Sequence, residues 1–216
     1  MRVPLASIAL ASLFAFSPAS FASPEHAPSA SPAPSAGQKL PATQAALRDL
    51  WVGHIFWVRD VVRGLADKDD AAVKVAEAQV VENAKAIAGS VEPFYGKAAS
   101  NQLFELLAGH YGAIKAHASA TVAGKGAEAK KAFDDLVANA NAISEFLSGA
   151  NPHLPKNVLS SMLLAHGGHH VKQNEQIAKG DLKAEARTWE EMKTHIYAIS
   201  DALAGALAKQ FPEKFS

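Results

Sequence analysis

The chain repeats one pattern three times, and each copy ends on a histidine. The copies read LRDLWVGH at residues 47–54, LFELLAGH at 103–110 and LSSMLLAH at 159–166. A second pattern recurs at the same 56-residue interval, with NAKAIA from Asn83, NANAIS from Asn139 and HIYAIS from His195. Because two segments of each unit stay in register, a chance spacing of histidines does not explain the match. We interpret the unit as a helical hairpin present in three tandem copies.

The segments around these repeats have the periodicity of amphipathic helices. Apolar residues recur every three to four positions, and no window shows the two-residue alternation of a half-buried strand. Glycine, proline and short polar stretches separate the segments. The pattern predicts an all-α fold with six helices, over residues 42–66, 70–91, 98–122, 126–149, 155–179 and 182–210.

Three hairpins can stack in a line as a short solenoid or close around a common core as a six-helix bundle. A solenoid needs polar terminal repeats, whereas the first predicted helix carries an apolar stripe through Leu47, Leu50 and Val58. We therefore expect the closed six-helix bundle. Only closure would bring the equivalent histidines of the three hairpins together.

Composition excludes several classes of protein. The 216 residues include 21 basic and 21 acidic side chains, so the formal net charge is zero and the clustered positive charge needed for nucleic acid is missing. The chain has no cysteine, which excludes disulfides, iron–sulfur clusters and covalently attached c-type haem. It shows no Ser–His–Asp order, phosphate loop or nucleotide fingerprint, so the sequence identifies no reaction.

The N-terminus has the features of an export signal. Arg2 precedes an apolar run, residues 5–16, that is too short to span a bilayer, and Ser20 and Ala22 are small residues at the positions a signal peptidase reads. We predict a signal peptide over residues 1–22, a disordered Pro/Ser/Ala linker over 23–41 and a helical domain over 42–216. The mature protein is expected outside the cytoplasm, in the periplasm, with no transmembrane segment.

One histidine lies on the apolar stripe of each hairpin's first helix, and these residues are the candidate metal ligands. His170 occupies the position that Val58 and Ile114 hold in the other copies, and it lies four residues after His166, so both can face one ion. On the sixth helix one further histidine flanks the buried stripe. The predicted metal site comprises His54, His110, His166, His170 and His195.

Two interpretations of these histidines remain open at this stage. They are either core residues bonded to backbone carbonyls in a structural or interaction protein, or ligands of a metal between the hairpins. We favour a metal because the only other inward polar side chains expected are Asn83 and Asn139, too few to satisfy several buried imidazoles. Zinc or copper fits a histidine-rich, sulfur-free site. Haem and di-iron fit less well, because no ExxH motif is present and inward carboxylates are few.

Other features are assigned weaker roles. His117 is expected to be half-buried at the surface, His153 to lie in a loop, and residues 183–191 to form a solvated face. Gly167 and Gly168 directly follow a candidate ligand, and they indicate either a local kink or tight helix packing.

The motifs also resemble those of a group of bacterial helical proteins. The resemblance is carried by LWxxHxxWxR from Leu50, PFYG from Pro93, LLxxH from Leu106 and QFPxKF from Gln210, and it extends over most of residues 42–215. It implies the all-helical fold and the choice of histidines. It implies no activity, because none is attached to that group.

Overall fold

The computed structural model describes residues 39–215, and this part of the chain is helical without any strand. Five α-helices follow one another: α1 (Lys39–Asp67), α2 (Asp70–Val122), α3 (Gly126–Ala150), α4 (Lys156–Ala178) and α5 (Leu182–Gln210). A short 3₁₀ helix, Pro212–Lys214, comes after them. The prediction of an all-α fold is confirmed for these residues. The predicted signal peptide and most of the predicted linker lie outside them.

Five helices are found where six were predicted, because α2 continues through the expected break at residues 92–97. Pro93 lies inside the helix, and Gly96 has the non-helical dihedral angles φ 81° and ψ 171°. Glycine adopts such a positive φ without the steric cost that a Cβ would add. The chain therefore bends at Gly96 within one long element, and residues 70–95 and 97–122 form its two arms.

Aspartates before the first turn and glycines just after the last turn mark the other predicted helix boundaries. Asp69 and Asp181 cap α2 and α5, accepting hydrogen bonds from the backbone N–H groups of Ala72 and Ala184 at 2.9 and 3.0 Å. Gly124 and Gly180 take a φ of 69° just after α2 and α4, as is typical after a helix C-terminus. The residues that set these helix boundaries could therefore be recognised in the sequence.

The helices close around a shared interior. α1 packs against α2, α4 and α5, α2 also packs against α3 and α4, and α5 packs against α4. The last helix thus returns to the first, and α1, α2 and α4 meet in the centre. Gly167 packs tightly there: a Cβ at this position would lie 3.3 Å from Cδ2 of Leu136 in α3. This contact supports close helix packing as the role of that glycine.

No helix among the described residues combines the length and the hydropathy needed to cross a membrane.

Candidate metal centre

Four of the predicted ligands meet in the middle of the bundle. His54 comes from α1, His110 from the second arm of α2, and His166 and His170 from α4. Each can offer one ring nitrogen such that all four nitrogens lie within 4.8 Å of one another. Their ring centroids are 4.6–6.0 Å apart. The closed packing of α1, α2 and α4 produces this convergence, because the three helices each turn the apolar stripe that carries the histidine towards the same point.

Water is excluded from the cluster. The exposed fractions of the four residues are 5% for His54, 4% for His110, 1% for His166 and 0% for His170. Trp51 lies edge-on to His54, with ring centroids 6.0 Å apart, and is itself buried. Among the described residues, the group of potential ligands contains imidazoles only, with no carboxylate.

Most of the ring nitrogens have no hydrogen-bond partner. Nε2 of His166 and Nε2 of His170 lie 3.2 Å apart, within hydrogen-bond distance. Five buried ring nitrogens in the cluster make no hydrogen bond of good geometry: Nε2 of His54, Nδ1 and Nε2 of His110, Nδ1 of His166 and Nδ1 of His170. Buried polar atoms are nearly always bonded in folded proteins, so five together are exceptional.

Burial keeps the four rings neutral. It lowers the pKa of His54 to about 3, and the neighbouring His110 acts in the same direction. Burial also lowers the pKa of His110 to about 4, although the Asn139 side chain acts in the opposite direction. The pKa values of His166 and His170 lie well below the ordinary value, because of burial first and then the proximity of the other histidines. A neutral imidazole is the form that binds a metal ion.

The spacing of the nitrogens is close to that of a tetrahedral metal site. A zinc ion with zinc–nitrogen bonds of about 2.0–2.1 Å places its ligand nitrogens roughly 3.3 Å apart. The two Nε2 atoms of His166 and His170 already have this separation, at 3.2 Å. The other nitrogens, at most 4.8 Å apart, would have to approach by no more than about 1.5 Å.

His195, the fifth residue of the predicted site, lies outside this group of four. Its Nε2 lies 2.8 Å from the carbonyl oxygen of Met162. Asn83 and Asn139 make the equivalent contact, each donating its side-chain amide to the carbonyl of the residue 33 positions earlier, Leu50 or Leu106. These residues join the two helices of a hairpin, and their amide nitrogens are used in that contact. The side chain of Asn139 also lies close enough to His110 to raise its pKa.

Glycines make room for the two amides. A Cβ on Gly53 would lie 2.8 Å from Nδ2 of Asn83, and a Cβ on Gly109 would lie 3.0 Å from Nδ2 of Asn139. Each glycine directly precedes a histidine of the cluster. The glycine–histidine pairs at residues 53–54 and 109–110 therefore place an interhelical hydrogen bond beside the histidine cluster.

Buried polar residues that the sequence analysis missed lie further along α4 and α5. Glu185 is 1% exposed, so the expectation that residues 183–191 form a solvated face is wrong at this position. Arg59 binds both of its carboxylate oxygens at 2.5 and 2.6 Å, and Gln173 donates to it at 2.8 Å. Burial acts to raise the pKa of Glu185, but the bonds from Arg59 hold it below the ordinary value. The one clue in the sequence is that Gln173 lies three residues after His170 and shares its helical face.

His117 is likewise more buried than expected. Its exposed fraction is 4%, and its Nδ1 lies 3.2 Å from Nδ2 of Asn174. Asn174 follows His170 by one helical turn and lies on the same face of α4. Its inward position could therefore have been predicted from this spacing. His169 is half-buried at the α4–α5 contact and His153 is exposed in the loop after α3.

No family model, curated protein or solved structure matches the chain. The residues themselves and their geometry are therefore the basis on which a function can be inferred.

Proposed function

We propose that this protein binds one zinc or copper ion through His54, His110, His166 and His170. The observation that carries the proposal is the convergence of four neutral imidazoles with five unpartnered ring nitrogens in a buried site. Leaving a polar atom buried without a partner costs about 1–3 kcal/mol. A metal ion would satisfy one nitrogen of every ring at once.

The donor set limits the choice of ion. Imidazole nitrogen suits zinc and copper, whereas di-iron centres of helical bundles rely on carboxylates that this group lacks. Haem is disfavoured because the rings lie within 6.0 Å of one another, which leaves no space for a porphyrin between them. The ion would be held by protein nitrogens alone, as in a structural or storage site, and no open coordination position for a substrate is evident.

The alternative is a structural core of histidines. The 3.2 Å contact between His166 and His170 favours it, since one ring can donate to the other without any metal. That contact satisfies only two of the eight ring nitrogens, however, and five of the other six stay unpartnered. The metal-binding interpretation therefore accounts for more of the site.

We further propose that the bundle arose from three copies of one hairpin. The three hairpins contain six helical segments when α2 is divided at Gly96. The support is the hydrogen bond that recurs at 56-residue intervals from Asn83, Asn139 and His195. We also propose export to the periplasm, which the apolar run and the small residues within residues 1–22 support.

Metal titration of the purified protein tests the proposal. Zinc(II) and copper(II) are each added to metal-free protein while the melting temperature and the bound metal are measured. Because an ion that binds only the folded state adds RT ln(1 + [L]/Kd), a thousandfold excess over Kd stabilises by about 4 kcal/mol. We expect one ion in the buried centre and a rise in melting temperature.

Two variants separate the metal site from a structural core. His170→Ile introduces the residue that the second copy has at this position, and His54→Leu keeps a side chain of similar volume in the apolar interior. Both should fold and both should lose most of the metal-induced rise in melting temperature, whereas His153→Ala in the exposed loop should keep it in full. A protein that takes up neither ion and melts at the same temperature with and without them has a structural histidine core.

A further inference from the structure

We propose that His169 and His195, at the surface between α4 and α5, form a second metal site that captures zinc(II) or copper(II) and passes it to the four-histidine centre. Binding by this pair stands on its own geometry. The transfer step rests on the function proposed above.

The two rings have the spacing of a shared ligand pair. Their centroids are 5.5 Å apart, which falls within the 5.5–6.0 Å that separates His54 from His110, His166 and His170 in the buried centre. Both residues are half-buried, so an ion in solution can reach them. The buried centre offers no such access.

The hydrogen bond of His195 prepares its other nitrogen for a metal. A carbonyl oxygen can only accept, so the 2.8 Å contact with Met162 requires Nε2 of His195 to carry the proton. In the neutral ring, Nδ1 then has a free lone pair. Metal-binding histidines typically donate their second nitrogen to a backbone carbonyl in this way, which fixes the ring and its tautomer.

A carboxylate lies beside the pair. Glu191 precedes His195 by four residues on α5, and its charge acts on His169. It is exposed and forms an ion pair with Lys172 at 2.9 Å, from which it can exchange. Two imidazoles and water make an incomplete coordination shell that suits zinc or copper and releases the ion more readily than four protein ligands. The charge of Glu191 attracts a cation to the pair.

The pair adjoins the buried centre through α4. His169 is the immediate neighbour of His170, and His195 is close enough to contribute to the lowered pKa of His166. The imidazoles of His169, His166 and His170 on α4 thus lie between the surface and the core. An ion could exchange its surface ligands for His166 and His170 one bond at a time, with no free ion in the apolar interior.

The third hairpin alone has this arrangement. The first two hairpins have Asn83 and Asn139 at the position of His195, and those amides make the same hydrogen bond without offering a metal ligand. His195→Asn is therefore a conservative change that keeps the interhelical contact. Combined with His169→Asn it should remove the surface pair while leaving the fold intact.

Copper(II) titration followed by electron paramagnetic resonance tests the proposal, because sites with different ligands give different spectra. The unaltered protein should bind two ions per chain. His169→Asn/His195→Asn should bind one, in the four-histidine centre, and should fill it at least tenfold more slowly in freeze-quench experiments. His54→Leu/His170→Ile leaves only two rings in a site that water does not complete, so it should retain only the surface ion. His153→Asn should behave as the unaltered protein.

The outcomes separate the two proposals. If the His169→Asn/His195→Asn protein still binds two ions, or fills the centre at the original rate, the surface site or its loading role is refuted while the buried centre stands. If the His54→Leu/His170→Ile protein loses no ion, the buried centre is refuted, and the stoichiometry of His169→Asn/His195→Asn still decides whether the surface pair binds.

Discussion

Acid is expected to unfold the metal-free protein well above the pH at which carboxylates titrate. The unfolded chain takes up protons on histidine near pH 6.5, whereas burial holds the pKa of His54 at about 3 and that of His110 at about 4. The pKa values of His166 and His170 are also lowered well below 6.5. Below pH 6.5 the unfolded state therefore binds more protons than the folded state, so stability falls as the pH falls.

The expected loss is large relative to the stability of a domain. Each histidine that stays neutral in the folded state costs about 1.4 kcal/mol for every pH unit below 6.5, so four cost roughly 5 kcal/mol at pH 5.5. Domains of this kind are stable by about 5–15 kcal/mol, which places the acid midpoint near pH 5. His117 and His169, whose pKa values are lowered by burial, add to the loss. Glu185 contributes to the loss of stability only below about pH 4.5, because its pKa in the folded protein is lowered from the ordinary value of 4.5.

Urea unfolding followed by circular dichroism measures this dependence. The free energy of unfolding should drop by about 5 kcal/mol between pH 7.5 and 5.5, and His170→Ile should reduce the drop by about a quarter because one titrating ring is gone. Excess zinc should shift the acid midpoint downward by keeping the rings neutral. A free energy of unfolding that stays constant within about 1 kcal/mol over this range would refute the argument from neutral buried histidines.

Three further outcomes follow from packing, charge and processing. Gly64→Ala should destabilise the protein by about 1–3 kcal/mol in thermal unfolding, because its Cβ would lie 2.8 Å from Cγ2 and 3.2 Å from the backbone nitrogen of Val73. Glu185→Gln should lower the free energy of unfolding by about 3 kcal/mol or more, because it leaves the Arg59 guanidinium without its carboxylate. Intact-mass measurement of protein from the native host should show a chain that starts directly after Ala22, since residues 1–22 are expected to be removed.

Each of these predictions has a control that could contradict it. Gly112→Ala adds a Cβ with no neighbour within 4 Å and should stabilise by about 0.5–1 kcal/mol through helix propensity. Asp201→Asn breaks the more exposed pair with Arg48 and should cost far less than Glu185→Gln, because solvent screens exposed pairs. Equal effects of the Asp201 and Glu185 substitutions would show that burial does not govern these pairs. Recovery of soluble protein with Met1 intact would contradict the cleavage.

The sequence predicted the helices and most of the centre because both depend on local periodicity. An amphipathic helix has to turn its apolar stripe inward, so the side chains at positions 54, 110, 166 and 170 could be placed inside before any packing was known. The hydrogen bond from Asn83 to Leu50 escaped prediction, since it depends on the distance between two helices. The burial of Glu185 also escaped it, because a charged residue is buried only when a partner such as Arg59 arrives from elsewhere in the chain.

What the sequence alone determined is the class of structure, the boundaries set by Asp69, Asp181 and the turn glycines, and the inward face of the candidate ligands. Tertiary structure decided which of those ligands share a site. His54, His110 and the α4 pair converge because α1, α2 and α4 meet at the centre of the closed bundle. His195 lies on the flank of its helix, where the nearest acceptor is the carbonyl of Met162, so packing moved it to the surface pair with His169. Spacing along a chain places a side chain on a face of its helix, and only the packing of the helices determines what that face meets.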